Sequence, residues 1–471
     1  MERILIKLKS SGVQVLISMW IWVGACTPDG FTNFDPAEVK SGGEFGTHEV
    51  FGRKAFDKSA PGVSKDNFTR FQAGNSFFRS SWVVAPSSTS ARDGLGPLYN
   101  SISCTGCHIH DGRGRPPLEE GAALRSMLVR VSLPGQSAHG GPLPHPAYGT
   151  QIQNRSAKNF SPEGELDISY EEISGTYPDG TPYTLLKPTY RLRDLQYGAV
   201  MPDLELSPRT APAVLGMGLL EAIPEAAILN LADEDDTNED GISGRPNWVY
   251  DFEQEEVAMG RFGWKANQPS LRQQNASAFG GDLGLTTSLF PGGNCGEEQI
   301  DCQDAPNGGE PEITDDILDF VTAYTRSLGV PARREADSPQ VLAGKALFTQ
   351  VGCTSCHNPS FETEALPGFP EIANQTIFPY TDMLLHDMGP DLADNRPDYK
   401  ATGQEWRTPP LWGLGLIEVV NGHTRLLHDG RARNMTEAIL WHGGEAAASQ
   451  AAFRELSGKE REDLIAFLKS L

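Results

Sequence analysis

Apolar residues recur at helical spacing in three stretches of the chain. Ile317, Phe320, Val321, Tyr324 and Leu328 share one helix face before Pro331, and Leu464, Phe467, Leu468 and Leu471 repeat the i, i+3, i+4, i+7 pattern further on. Val341, Leu342, Lys345 and Phe348 stand near the same spacing and predict a short helix ahead of Cys353. Between about 125 and 200 the rhythm changes. Met127-Leu-Val-Arg-Val131 and Tyr183-Thr-Leu-Leu186 alternate, and Gly/Pro turns such as Asp179-Gly-Thr-Pro182 punctuate them, which predicts strands. The pattern as a whole predicts a mainly α chain with a β-rich insertion in its first half.

At the amino terminus Arg3, Lys7 and Lys9 precede an uncharged apolar run from Val13 to Ala25, the pattern of an export signal. Val23-Gly-Ala-Cys26 resembles a bacterial lipoprotein cleavage box, which implies lipidation of Cys26 and a periplasmic-side, membrane-anchored protein of the cell envelope. The alternative is an uncleaved anchor helix, but the run falls short of the ~20 apolar residues that span a bilayer. Residues 27–45 then read as a tether. The 471 residues leave room for two or three cored domains, and 50 Gly with 34 Pro favour long connections over a helical bundle. A formal net charge of −23 argues against a nucleic-acid partner and suits a basic electron donor.

Two motifs carry the chemistry. Cys104-Thr-Gly-Cys107-His108 and Cys353-Thr-Ser-Cys356-His357 each offer two thiols for thioether bonds to haem vinyl groups, with the adjoining imidazole as proximal iron ligand. A zinc pair or thioredoxin-like dithiols would also use Cys-x-x-Cys, but two copies, both followed by His in a chain with an export signal, favour two covalent haem c groups. The architecture then reads as two cytochrome-c-like haem domains, 46–332 and 340–471, each closed by one of the apolar helices. Of the remaining cysteines, Cys295 and Cys302 lie in a Gly- and acid-rich loop without a nearby His, so a disulfide is favoured over a metal site.

The second axial face of each iron decides reactivity. Asn434-Met-Thr-Glu437 reads as a helix-opening cap, and Met435, Ala438, Ile439 and His442 share a face of the helix that follows, ending at Gly443-Gly444. An imidazole on an apolar stripe needs a partner, either an iron or a backbone carbonyl. His386 and Met388 compete with His442 for that iron.

Several segments together resemble a known family: Cys107-His-Ile-His-Asp-Gly-Arg113-Gly-Arg115-Pro-Pro117, Gly260-Arg-Phe-Gly-Trp264-Lys-Ala266, Pro379-Tyr-Thr-Asp-Met-Leu-Leu-His-Asp-Met-Gly389 and Leu427-His-Asp-Gly-Arg431. They resemble the di-haem oxidoreductases, peroxidase-like proteins that have often been labelled thiol oxidoreductases, over about 45–471. More distantly the second half resembles bacterial di-haem cytochrome c peroxidases and the methylamine-utilisation di-haem enzyme. The resemblance implies reduction of hydrogen peroxide, with electrons from a small redox protein or a quinol-linked donor. It places His442 where the peroxidases carry a methionine ligand, a departure that would lower the haem potential. Met217-Gly-Leu-Leu-Glu221 resembles the stretch with their distal glutamate, which makes Glu221 a candidate proton shuttle; a helix-start carboxylate is the alternative. Arg209 and the pair Arg113/Arg115 are candidates for haem propionates, and Trp82 and Trp264 for electron relay or for packing. Asp236, Asn238, Asp240 and Ile242 match the start of a calcium loop, although position twelve is Asn247 and not a bidentate Glu. A non-enzymatic electron carrier and a peroxide-dependent oxidase of a partner protein are the alternatives to a peroxidase.

Overall fold

The computed structural model describes residues 34–471 except 90 and 120. The export signal and Cys26 therefore lie outside the described residues. Of the helices among the described residues, six bear on the site: α1 (Lys65–Arg79), α2 (Leu271–Leu283), α3 (Asp315–Ser327), α4 (Pro339–Gln350), α5 (Met435–Leu440) and α6 (Gly458–Ser470). Their starts follow capping chemistry. Ser64 and Ser338 accept backbone N–H bonds from Asn67 and Val341, Pro339 occupies the first turn of α4, and Ser457 and Glu460 form a reciprocal capping box on α6.

Two helix crossings repeat the same geometry. In the first, a Cβ added to Gly74 of α1 would lie 1.9 Å from the carbonyl oxygen of Phe320 on α3, so only glycine lets the backbones approach. One turn on, Phe78 meets Tyr324 at a ring separation of 5.0 Å and His108 at 6.2 Å. In the second, Gly344 of α4 would meet the Asp463 oxygen on α6 at 1.9 Å, and Phe348 meets Phe467 at 5.1 Å and His357 at 6.1 Å. Each Cys-x-x-Cys-His turn is thus held by a Gly/Phe helix crossing a closing helix with an aromatic four residues beyond the contact.

The expectation of a mainly α chain is corrected by the structure, which is 29% helix and 19% strand in many small sheets. The largest sheet is built on β1 (Met127–Gln136). Three of the four strands used below follow it in the chain: β2 (Glu165–Thr176), β3 (Pro182–Arg193) and β4 (Glu205–Thr210). β1 pairs antiparallel with β4 from Met127↔Thr210 to Ser132↔Glu205 and with two short strands, 142–143 and 151–152. Val129 and Val131 pack with Tyr148, Ile152 and Leu166 in a core of their own, while Leu128 and Arg130 face the other way. The strands at 127–136, 165–176 and 182–193 fall in the segment read as β-rich; the expectation of a mainly α chain failed on the many short strands elsewhere.

β2 and β3 form a twelve-pair hairpin that bonds to no other strand. It reaches over the C-terminal half instead. Tyr177 and Leu185 join the main core there, the Arg461 guanidinium lies 3.9 Å over the Tyr177 ring, and Arg433 donates to the Thr184 carbonyl at 2.7 Å. The expected tether is folded from Pro36 onward: Glu38 is buried and bonded by Arg333 at 2.6 Å and by Lys345, and Phe45 is in the main core. That core also draws residues from both sides of 330–340, Ile228 and Met259 beside Leu464 and Phe467. No helix among the described residues is long and apolar enough to cross a membrane.

Candidate functional site

Each Cys-x-x-Cys-His segment opens with a short 3-10 turn, Cys104–Gly106 and Cys353–Ser355, and each His N–H returns to the carbonyl of the first Cys at 2.9 Å. Beside the first lies a cavity of about 160 Å³ lined by Cys104, Cys107 and His108, and beside the second one of about 270 Å³ lined by Cys353, Cys356 and His357. His108 Nδ1 donates to the Pro212 carbonyl at 2.8 Å and His357 Nδ1 to the Tyr380 carbonyl at 2.9 Å. A backbone acceptor on Nδ1 fixes the tautomer that leaves Nε2 as a free lone pair, the state a metal needs. Burial lowers both pKa values, His357 to about 4, so the rings are neutral ligands at pH 7.

The same arrangement occurs a third time. His442 Nδ1 donates to the Ala438 carbonyl at 2.6 Å, and Met435, Ala438, Ile439 and His442 all line the His357 cavity. Asn434 caps α5 by accepting from Glu437 N at 2.9 Å, which orients this face. His386 cannot compete. Its Nε2 is bonded to Asp382 and its Nδ1 to Glu445, both at 2.7 Å, so neither nitrogen is free. Against the desolvation of burial, the bonds to Asp382, Cys356 and Glu445 raise His386 well above its ordinary value, and Glu445 falls to about 2. Its donor atoms cluster with those of Cys356 and Asp382 as a metal site would, but the imidazole is spent on the carboxylates. Met388 also lines the cavity.

A family model described as "Di-haem oxidoreductase, putative peroxidase" matches residues 37–471. The chain belongs to the di-haem oxidoreductases. No curated protein matches it. For a di-haem oxidoreductase the two cavities, each with a tautomer-fixed imidazole, fit the two haems that the family name implies.

The four thiols do not fit a dithiol oxidoreductase. Burial raises all of them, Cys107 and Cys353 to about 12, whereas a reactive thiol needs a lowered value. Cys295 and Cys302 are joined in a disulfide.

Glu221 is buried but lines neither cavity. Its carboxylate accepts from Arg326 Nε and Nη2 and from Leu271 N at 2.8 Å, which anchors the start of α2 to α3. The geometry does not bring it to His108. The Arg113/Arg115 pair is split: Arg113 is buried in the His357 cavity wall with bonds to Arg425 O, Thr210 Oγ1 and Leu427 O, whereas Arg115 is exposed and lines neither cavity. Arg209 lines the His108 cavity.

Trp264 lines both cavities, with its Nε1 donating to the Thr210 carbonyl at 2.8 Å and the Arg113 guanidinium 5.1 Å over its ring. Trp82 lines neither and packs against Phe77 and Phe279. In the acidic loop, Asp236 accepts from Gly241 N, Asn238 from Asp240 N and Asp240 from Ile242 N. Asn247 is turned inward, bonded to the Lys265 and Asp398 carbonyls, and supplies no twelfth ligand.

Sequence reasoning missed three features of the site. Arg130 lines the His108 cavity, and its place between Val129 and Val131 in an alternating strand was the available signal. His428 stacks on Trp406 at 3.8 Å in the wall of the other cavity. Lys265, fully buried, donates to Asp394 at 2.8 Å and to two backbone carbonyls; it lies in the Gly260–Ala266 segment that carries the family resemblance, but nothing in that segment marks it as a buried cation.

Proposed function

We propose that this di-haem oxidoreductase binds two haem c groups, thioether-linked through Cys104/Cys107 and Cys353/Cys356, and reduces hydrogen peroxide to water. Electrons would come from a small redox protein or a quinol-linked donor. The observation that carries the reading is the inequality of the cavities. Of the four histidines lining the His357 cavity, His357 and His442 have Nδ1 fixed on a backbone carbonyl and Nε2 left over, whereas His386 is bonded at both nitrogens and His428 lies flat on Trp406 with Nε2 3.6 Å from Asp429. Among the described residues lining the His108 cavity, His108 is the one histidine. When bound, each haem supplies an iron that exchanges single electrons, whereas peroxide takes up two electrons and two protons to give two waters. His357 and His442 together would saturate one iron and suit it to electron transfer; His108 alone leaves the other iron a face for peroxide.

Trp264, common to both walls, stands where an electron would cross between them. Gln268 lines the His108 cavity and has a buried Oε1 without a hydrogen-bond partner, an acceptor for a peroxide O–H. The reading extends to attachment at a membrane on the periplasmic side through lipidated Cys26, and to calcium at Asp236, Asn238, Asp240 and the Ile242 carbonyl. Metal analysis of protein purified without chelator checks the calcium, and its absence there removes that part.

Resting absorption and spin-resonance spectra test the central claim. One low-spin and one high-spin haem are expected, with only the high-spin signal responding to peroxide, and His442→Met should alter only the low-spin one. Two low-spin haems that stay inert to peroxide after one-electron reduction would replace the peroxidase with an electron carrier.

A further inference from the structure

The β-rich insertion delivers two cations to the His108 cavity. In the β1–β4 ladder Arg130 pairs with Ser207 and Leu128 with Arg209, so Arg130, Ser207 and Arg209 project from one face as direct and diagonal neighbours. Both guanidinium groups line the cavity that holds Cys104, Cys107 and His108. Their hydrogen bonding is incomplete. Arg209, 6% exposed, uses Nε on Ser207 Oγ at 2.8 Å and Nη1 on Asp398 at 3.3 Å, while its buried Nη2 has no hydrogen-bond partner and lies 3.6 Å from Asp394. Arg130 makes no side-chain hydrogen bond to protein among the described residues, and burial lowers its pKa, partly offset by Asp282.

The surrounding charge does not balance either. Arg130, Arg209, Lys265 and Arg396 face Asp282, Asp394 and Asp398. Asp394 is shared between Lys265 at 2.8 Å and Arg209 at 3.6 Å, and Asp398 between Arg209 and Arg396, the latter at 3.1 Å, so three carboxylates face four cations. Asp282 holds Gln151 at 2.9 Å. Buried Arg209 and half-buried Arg130 have donors to spare, which is costly unless an anion meets them. A guanidinium fork is matched to a carboxylate, and the thiols of this cavity, Cys104 and Cys107, would fasten a porphyrin.

We propose that Arg130 and Arg209 form the receptor for the propionate carboxylates of the haem held at His108, so that the sheet completes this haem site. The assignment rests on the di-haem reading above. It concerns binding and electrostatics and leaves the reaction itself unchanged.

The test uses the full-length holoprotein with Arg130→Met, Arg130→Lys and Arg209→Met. Haem per chain is counted by pyridine haemochrome, and the two reduction equilibria are followed by redox titration. The equilibria are assigned with His442→Met, which perturbs the other haem. Thioether attachment should keep two haems in Arg130→Met. Losing the positive charge of half-buried Arg130 from the cavity wall should weaken reduction of the His108 haem on the order of tenfold, leave the His357 haem unchanged, and be largely reversed in Arg130→Lys. Arg209→Met should act in the same direction, but it also strips a partner from Asp398. Arg130 is therefore the decisive position. Two bound haems with both equilibria unchanged in Arg130→Met would overturn the receptor while leaving the di-haem reading intact. Fewer than two haems in the unaltered protein would sink that reading and this assignment with it.

Discussion

Gly344→Ala offers the sharpest test of how the second haem turn is held. The added Cβ would sit 1.9 Å from the Asp463 oxygen, 2.6 Å from its carbonyl carbon and 2.9 Å from Phe467 Cβ. All three atoms belong to α6 and cannot rotate away, so the helices must part by on the order of 1 Å to restore ordinary contact. Parting loosens the Phe348–Phe467 contact, now 5.1 Å between rings, and the packing of Phe348 on His357 at 6.1 Å. Overpacking of this kind costs about 1–3 kcal/mol, and the immobile backbone puts this site at or above the upper end. Alanine gains about 1 kcal/mol over glycine inside a helix, so the net expectation is a loss of about 2 kcal/mol. Gly280 in α2 supplies the control, because its added Cβ meets only the Leu285 oxygen at 3.9 Å and the helix propensity gain should stand alone. Urea unfolding of the holoprotein, followed by far-UV dichroism and by the Soret band, measures both. Gly344→Ala should lower the midpoint and Gly280→Ala should hold or raise it. If Gly344→Ala were as stable as the parent, the close crossing would be wrong.

Glu221→Gln should act on stability and not on chemistry. Weakening the Arg326 pair and the Leu271 bond should cost about 1–3 kcal/mol in urea unfolding while peroxide turnover per folded molecule stays within about twofold. A fall of about a hundredfold or more would return Glu221 to the role of proton shuttle. The Asp382–His386–Glu445 cluster should show in the pH dependence of stability. His386, raised above 6.5, stabilises the fold fully below that value and loses its contribution as pH rises through its folded pKa. Glu445, lowered from 4.5 to about 2, contributes above 4.5 and loses its share as pH falls toward 2. The stability difference between the parent and His386→Asn should therefore be flat near pH 5–6 and shrink on the alkaline side. A difference that grew with pH would contradict the doubly bonded imidazolium.

What could be read from sequence depended on how local the cause is. The Cys-x-x-Cys-His turns, the apolar faces that became α3 and α6, and the Asn434 cap that sets His442 on the cavity side are all encoded within a few residues. The structural ties of Glu221 were not legible, because the partner that holds its carboxylate, Arg326, lies 105 residues away. His386 was left in competition with His442 for the same reason, since Glu445 stands 59 residues on and only the fold shows that both ring nitrogens are taken. The helix-dominated expectation failed where strands are short and pair across long loops, as Thr47–His48 does with Val330–Pro331. Such pairs leave no periodic trace in so few residues.

The two halves differ less in how they hold a porphyrin than in how they finish its pocket. Both use a Gly/Phe helix crossing and a carbonyl on the proximal imidazole. The His357 cavity also takes Phe56, Arg113, 212–217 and 263–264 from the first half, but segment 435–442 of the C-terminal half brings it a further imidazole, His442. The N-terminal half draws its cavity wall from 125–130, 209–214, 263–268 and α2, stretches that contribute polar and cationic side chains but no second histidine among the described residues. Length follows from this choice, because a wall assembled from a sheet and a distant helix needs the long β-containing insertion. On the proposed reading, the strands that carry Arg130 and Arg209 to the His108 cavity would supply its wall with cations in place of a second imidazole, so the same sheet that departs from a helical haem domain would leave that iron open.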